Sequence, residues 1–170
     1  MYPFVPLTRD PLTDLPDRFA LVAHLEREMQ GARCEGSTLA LLLVTLDGLA
    51  AAVASLGQVR GDQLLVNIGT RLGHTVRKGD LVARWDKNTF AFLLLDVGGD
   101  EDITAVAWRA ILICNNSGRE RSGNTRLCAH VGYARYPEHG QTPEALIMQT
   151  EVTLRTSVTR RYAPAWKGAR

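Results

Sequence analysis

Leu81-Val-Ala-Arg-Trp-Asp-Lys-Asn-Thr-Phe-Ala-Phe-Leu-Leu-Leu95 is the stretch whose reading decides the fold. Leu81–Trp85 and Phe90–Leu95 are short runs rich in apolar residues, the right length for strands. The polar residues between them, Asp86-Lys87-Asn88-Thr89, predict a four-residue hairpin turn. Gly79-Asp80 turns the chain into the first strand. A hairpin this apolar needs cover on its faces, so the flanking segments must supply it.

Upstream, Leu39-Ala-Leu-Leu-Leu-Val44 is apolar on both alternating sides, as expected of a central strand covered twice. Phe19, Val22, Leu25 and Met29 recur at helical spacing from Asp17, and Gly31 is expected to close that helix. A short Ala-rich helix follows over Leu49–Ser55. After it comes a longer one with Leu65, Ile68, Leu72 and Val76 as its buried stripe. Downstream, Ile103, Val106, Ala107, Ala110 and Ile111 predict another amphipathic helix. Asn115–Arg126 is polar and bears glycine, so a loop is expected there. Leu127–Tyr136 predicts a strand, and Thr142-Pro143 opens a last helix. Helices and strands in this order predict an α/β (α+β) domain, a sheet with helices packed on its faces.

The 170 residues fit one domain on a scale of about 150 residues each. Twenty Lys plus Arg against eighteen Asp plus Glu leave +2, which excludes a strongly electropositive nucleic-acid binder. Cys34, Cys114 and Cys128 are odd in number and unpaired by motif, so neither a zinc site nor a disulfide framework is expected. No apolar run is long enough to span a bilayer and the start lacks a signal-peptide pattern, which points to the cytoplasm. Four prolines in residues 1–16 favour an extended lead-in, and Arg160–Arg170 reads as a basic tail or linker.

Four segments resemble the GGDEF, or diguanylate cyclase, family. Asp10-Pro-Leu-Thr-Asp-Leu-Pro-Asp-Arg18 is similar to its D-x-L-T-G-L-P-N-R opening. The run from Thr45 to Asp62 resembles D-x-D-x-F-K-x-x-N-D-x-x-G-H-x-x-G-D without a gap. Arg77-Lys-Gly-Asp-Leu-Val-Ala-Arg84 resembles the R-x-x-D-x-x-A-R before the signature hairpin, and Leu127–Ala134 resembles the T-x-S-x-G-x-A strand. The resemblance implies a palm fold like that of adenylyl cyclase, with a five-stranded, mainly antiparallel sheet. It places a lead-in over 1–9, the domain over 10–162 and a tail over 163–170.

Family members join two GTP into cyclic di-GMP across a homodimer, using two divalent ions held by carboxylates. By that alignment the metal positions are Thr45 and Asn88, both uncharged. The five signature positions are Asp86, Lys87, Asn88, Thr89 and Phe90, of which only Phe90 matches. The guanine-binding Asn aligns with Val53 and a Lys with Ala50, while the late-helix Lys and Arg align with Val158 and Tyr162. Asp47 and Asp62 are retained, with structural roles expected. The expectation is therefore a degenerate domain, not a diguanylate cyclase, with no catalytic residues, metal or cofactor.

Arg77 and Asp80 match the R-x-x-D inhibitory site, at which the family binds cyclic di-GMP. An Arg fork suits guanine O6 and N7 or a phosphate, and a carboxylate suits guanine N1–H and N2. Lys78 adds charge, and Arg109 is a candidate second arginine. The same pair also suits ordinary capping of a helix end and a turn. The expected function is a cyclic di-GMP receptor at this site, in a family tied to motility and biofilm. The alternative is a nucleotide-independent docking domain for an EAL, HD-GYP or PilZ-type partner, centred on Leu49–Ala54. His24, His74, His130 and His139 lack metal-ligand spacing. Trp85, Trp108 and Trp166 read as packing or interface anchors.

Overall fold

A computed structural model describes residues 7–122 and 126–159. Four strands, β1 (Leu39–Asp47), β2 (Leu81–Asp86), β3 (Thr89–Leu95) and β4 (Cys128–Tyr136), pair antiparallel in the order β2-β3-β1-β4. Five helices accompany them: α1 (Arg18–Glu35), α2 (Leu49–Leu56), α3 (Gln58–Gly73), α4 (Asp100–Ser122) and α5 (Pro143–Thr159). Among the described residues the sheet thus has one strand fewer than the five implied by the family resemblance. At the β2 edge the lead-in makes a single bridge, Asp17 to Arg84, with Arg84 N donating to Pro16 O at 2.8 Å. Asp17 then starts α1, so the lead-in does not go on as a fifth strand.

β1 sits at the centre because both of its faces are apolar. Ala40, Leu42, Val44 and Leu46 point to one core, shared with Phe90, Phe92 and Leu94 of β3 and covered by α2, α3 and α4. Leu39, Leu41 and Leu43 point to the other, with Ala91 and Leu93, under α1 and α5. Alternation along an extended chain makes this division compulsory. The last helix lies so close to β4 that a Cβ on Gly132 would stand 2.2 Å from Leu154 N.

Three boundaries differ from the sequence expectation. α1 runs through Gly31 and ends at Gly36, whose φ of 70° supplies the left-handed cap. The hairpin turn is two residues, Lys87 and Asn88, because Asp86 and Thr89 already pair across β2 and β3. Residues 115–122 continue α4 instead of forming a loop. Polar side chains on this stretch have tertiary partners: Asn115 Oδ1 accepts Ala129 N at 2.9 Å, and Ser117 Oγ accepts Arg71 Nη1 at 3.1 Å. Val76 lies past the end of α3 yet still packs on the core. No helix among the described residues is long and apolar enough to cross a membrane. The tail from Arg160, with Tyr162 and Trp166, lies outside the described residues, as does the Val158 side chain.

Candidate functional site: a cleft between the segment before β2 and α4

α3 ends at Gly73 and the chain turns through Gly79, at φ 106°, into β2. Arg77 and Asp80 lie on this turn. Asp80 N donates to Arg77 O at 3.1 Å, and Arg77 N donates to Asp80 Oδ2 at 3.3 Å. Asp80 Oδ1 accepts Leu95 N, at the end of β3, at 2.9 Å. Both oxygens of this carboxylate therefore face backbone amides, and its side chain is only 5% exposed.

Arg77 is placed differently. Its side chain is 59% exposed, with Nε 3.6 Å from Asp80 Oδ2. Nη2 donates to the carbonyls of Leu95 and Asp96, the latter at 3.0 Å. Asp96 has φ 47°, so the chain bends sharply where β3 leaves the sheet and turns both carbonyls toward the arginine.

These residues border a cleft of about 170 Å³. Its apolar wall includes Val76, Leu94, Val97 and Val106, and its polar groups are Thr75, Arg77, Asp80, Asp102 and Arg109. The structure thus brings together three of the four residues singled out in sequence, Arg77, Asp80 and Arg109. Lys78 is exposed and is not among the lining residues. Arg109 Nε bonds back to Ala105 O at 3.2 Å within α4, leaving the other donors of its guanidinium for a partner. Asp102, which the sequence reading missed, carries no motif; only the packing of α4 on α3 and on the β1–β4 part of the sheet brings it to the cleft.

The edge formed by β1 and the hairpin holds the remaining candidates. Thr45 Oγ1 and Thr89 Oγ1 share a hydrogen bond across the β1–β3 pair. Asn88 Nδ2 donates to Leu46 O at 3.2 Å, and Asp86 Oδ1 accepts Lys87 N at 2.7 Å. Arg84 ties the turn down: Nε donates to Asp86 O at 2.6 Å and Nη2 to Lys87 O, with the guanidinium carbon 4.9 Å from the Phe90 ring centre. Burial holds the Arg84 guanidinium below the usual arginine range, opposed by the charges of Asp10 and Asp86. The amide and hydroxyl groups at positions 45, 88 and 89 do not by themselves form the carboxylate set a divalent cation takes. Among the described residues no three His, Cys, Asp or Glu group to hold a metal.

Asp47 caps Gly48 N at 2.9 Å and Asp62 accepts Gln58 Nε2 at 2.7 Å, both local structural bonds. On α2, Ala50 is exposed but Val53 is turned against α3, where a Cβ on Gly61 would meet its Cγ2 at 2.6 Å. That packing occupies the centre of the docking patch considered from sequence. Trp85 is buried beneath Arg18, whose guanidinium carbon is 4.1 Å from the ring centre, while Trp108 is exposed.

Residues 7–160 match the family described as diguanylate cyclase, GGDEF domain. The chain is 33% identical over 146 residues to the diguanylate cyclase TpbB of Pseudomonas aeruginosa, covering 85% of this chain and 34% of that protein. It is 30% identical over 145 residues to the bifunctional diguanylate cyclase/cyclic di-GMP phosphodiesterase MucR of the same organism, covering 85% of this chain and 21% of that one. The solved GGDEF domain of TpbB superposes with a TM-score of 0.80 at 30% identity, covering 90% of each chain. The chain spans about a third of the length of TpbB and a smaller share of MucR. These relatives correct one expectation. Proteins named diguanylate cyclase share a third of the aligned residues, so the reading of this chain as a non-enzyme, a degenerate domain set apart from the cyclases, does not stand.

Proposed function

The chain belongs to the GGDEF family, and on that premise we propose that the cleft beside Arg77 and Asp80 is a receptor site for cyclic di-GMP. One observation carries the reading: Arg77, Asp80 and Arg109, from a turn and a separate helix, border the same cleft. A cyclic dinucleotide offers two anionic phosphates and two purine faces. The Val76, Leu94, Val97 and Val106 wall suits a purine ring, and two guanidinium groups at the rim suit a phosphate or the guanine O6/N7 edge. Arg77 is exposed and held by neutral carbonyls, contacts it can exchange for a phosphate, which a guanidinium binds through two parallel hydrogen bonds. At about 170 Å³ the cleft suits one base, with the rest of the ligand at its mouth.

Titration calorimetry with cyclic di-GMP tests this. Binding by the wild type that falls ten-fold or more in Arg77→Ala and in Arg109→Ala is the expected result. No heat with the wild type, or wild-type affinity retained in both variants, overturns it.

A further inference from the structure

On the opposite face of the sheet from the Arg77 cleft, a second cleft of about 350 Å³ lies between α1 and the start of α5. Its floor is Met29 and Tyr136, both part of the core under these helices. Tyr136 is only 7% exposed, yet among the described residues its hydroxyl has no hydrogen-bond partner and is not sealed from solvent. The ring is therefore packed while the hydroxyl opens into the cleft. A buried tyrosine ordinarily satisfies that group, so one left open at a cleft floor is a contact point for a ligand. Three charges stand around it. Glu26 and Arg33 are exposed on α1 and Glu144 is exposed in the first turn of α5, and among the described residues none of them has an ion-pair partner. The start of α5 adds a backbone donor. Thr142 Oγ1 accepts Ala145 N at 3.2 Å and Thr142 O accepts Leu146 N at 3.0 Å, which leaves the Glu144 amide without a helical partner.

We propose that this cleft binds a basic α-amino acid, free lysine or arginine. Two carboxylates and one guanidinium give its lining a net negative charge, and a basic amino acid, with two cations and one carboxylate, is its complement. The ligand carboxylate pairs with the Arg33 guanidinium through two parallel hydrogen bonds and accepts the Tyr136 hydroxyl. Its two cationic groups pair with Glu26 and Glu144. Glu26 and Arg33 are two helical turns apart, about 10 Å along the axis at 1.5 Å per residue. An extended lysine or arginine reaches both, which a short zwitterion does not. Its methylene chain lies on Met29 and the Tyr136 ring, as such chains do on apolar surface. The inference is independent of the cyclic di-GMP reading, because the two clefts share no residue.

Calorimetric titration of the chain with L-lysine, L-arginine, L-leucine and L-glutamate tests this. The expected result is that lysine or arginine binds at least ten-fold more tightly than leucine and glutamate. Arg33→Ala, at an exposed position, is expected to weaken that binding ten-fold or more. Tyr136→Phe keeps the packed ring, removes only the hydroxyl and is expected to weaken it three-fold or more. The double variant Glu26→Gln, Glu144→Gln is expected to level the preference for a basic over an apolar amino acid. No heat from lysine or arginine with the wild type, equal affinity for all four amino acids, or wild-type affinity retained in Arg33→Ala overturns the inference. None of these outcomes bears on cyclic di-GMP at Arg77.

Discussion

Asp80 fastens the end of β3 to the start of β2: its Oδ1 accepts the Leu95 amide at 2.9 Å from a side chain that is only 5% exposed. Arg77, its ion-pair partner, is 59% exposed. The two members of one motif therefore differ in what they stabilise. Asp80→Ala leaves a backbone amide without its acceptor and is expected to cost about 1–3 kcal/mol. Arg77→Ala removes an exposed cation and is expected to cost less than about 1 kcal/mol. Urea denaturation of both variants checks the difference; equal losses would contradict it.

Gly132 is expected to tolerate no side chain. A Cβ there would lie 2.2 Å from Leu154 N and 2.5 Å from Leu154 Cα, backbone atoms that cannot swing aside. Gly132→Ala must push α5 off β4, at about 3 kcal/mol, the upper end of the usual cost of overpacking, because the atoms met are backbone. The readout is a lowered melting temperature. Gly31→Ala, where the added carbon meets nothing within 4 Å, is the control expected to leave stability unchanged or raised.

Asp17 caps α1, accepting Ala20 N at 2.9 Å and Thr8 Oγ1 at 2.7 Å. The Ala20 bond, then the Thr8 bond, hold its carboxyl below the ordinary value of 3.8. A depressed folded-state value means that the stabilisation is present in full above pH 3.8 and is lost as pH falls through the folded value. Asp17→Ala is therefore expected to cost about 1 kcal/mol at pH 7. The gap from wild type should close as the pH is taken below that value, and denaturation curves at neutral and acid pH measure it.

Thiol reactivity should sort the three cysteines by burial. Cys34 and Cys128 are exposed, whereas Cys114 is buried and its thiol is pushed up to about 12 by desolvation, against a smaller opposing effect of Arg71. At pH 8 a thiol reagent is expected to titrate two groups in the native protein and all three after denaturation. Rapid labelling of Cys114 in the native state would show that α4 does not pack as described.

Much of the fold was legible from local pattern. The two-sided apolar run at Leu39–Val44 had to be a central strand, and it is β1, with a core on each face. What misled was polarity read without partners. Asn115 and Ser117 look like loop residues, yet each is hydrogen-bonded to another element, Ala129 and Arg71, so the helix continues through them. Gly31 looked like a terminator, but the helix ends at Gly36, where a left-handed φ is used.

The amino-acid order by itself determined the hairpin, the two-faced strand and the family, because these depend on spacing along the chain. It also picked out Arg77 and Asp80 as a pair. Only the folded chain decided that Arg109 joins them, that Lys78 does not line the cleft, and that Asp102 stands beside them. It also decided that Asp80 is committed to Leu95, fifteen residues along the chain. Such roles follow from burial and from which backbone amide lies within hydrogen-bond reach, and both are set by how helices pack on the sheet.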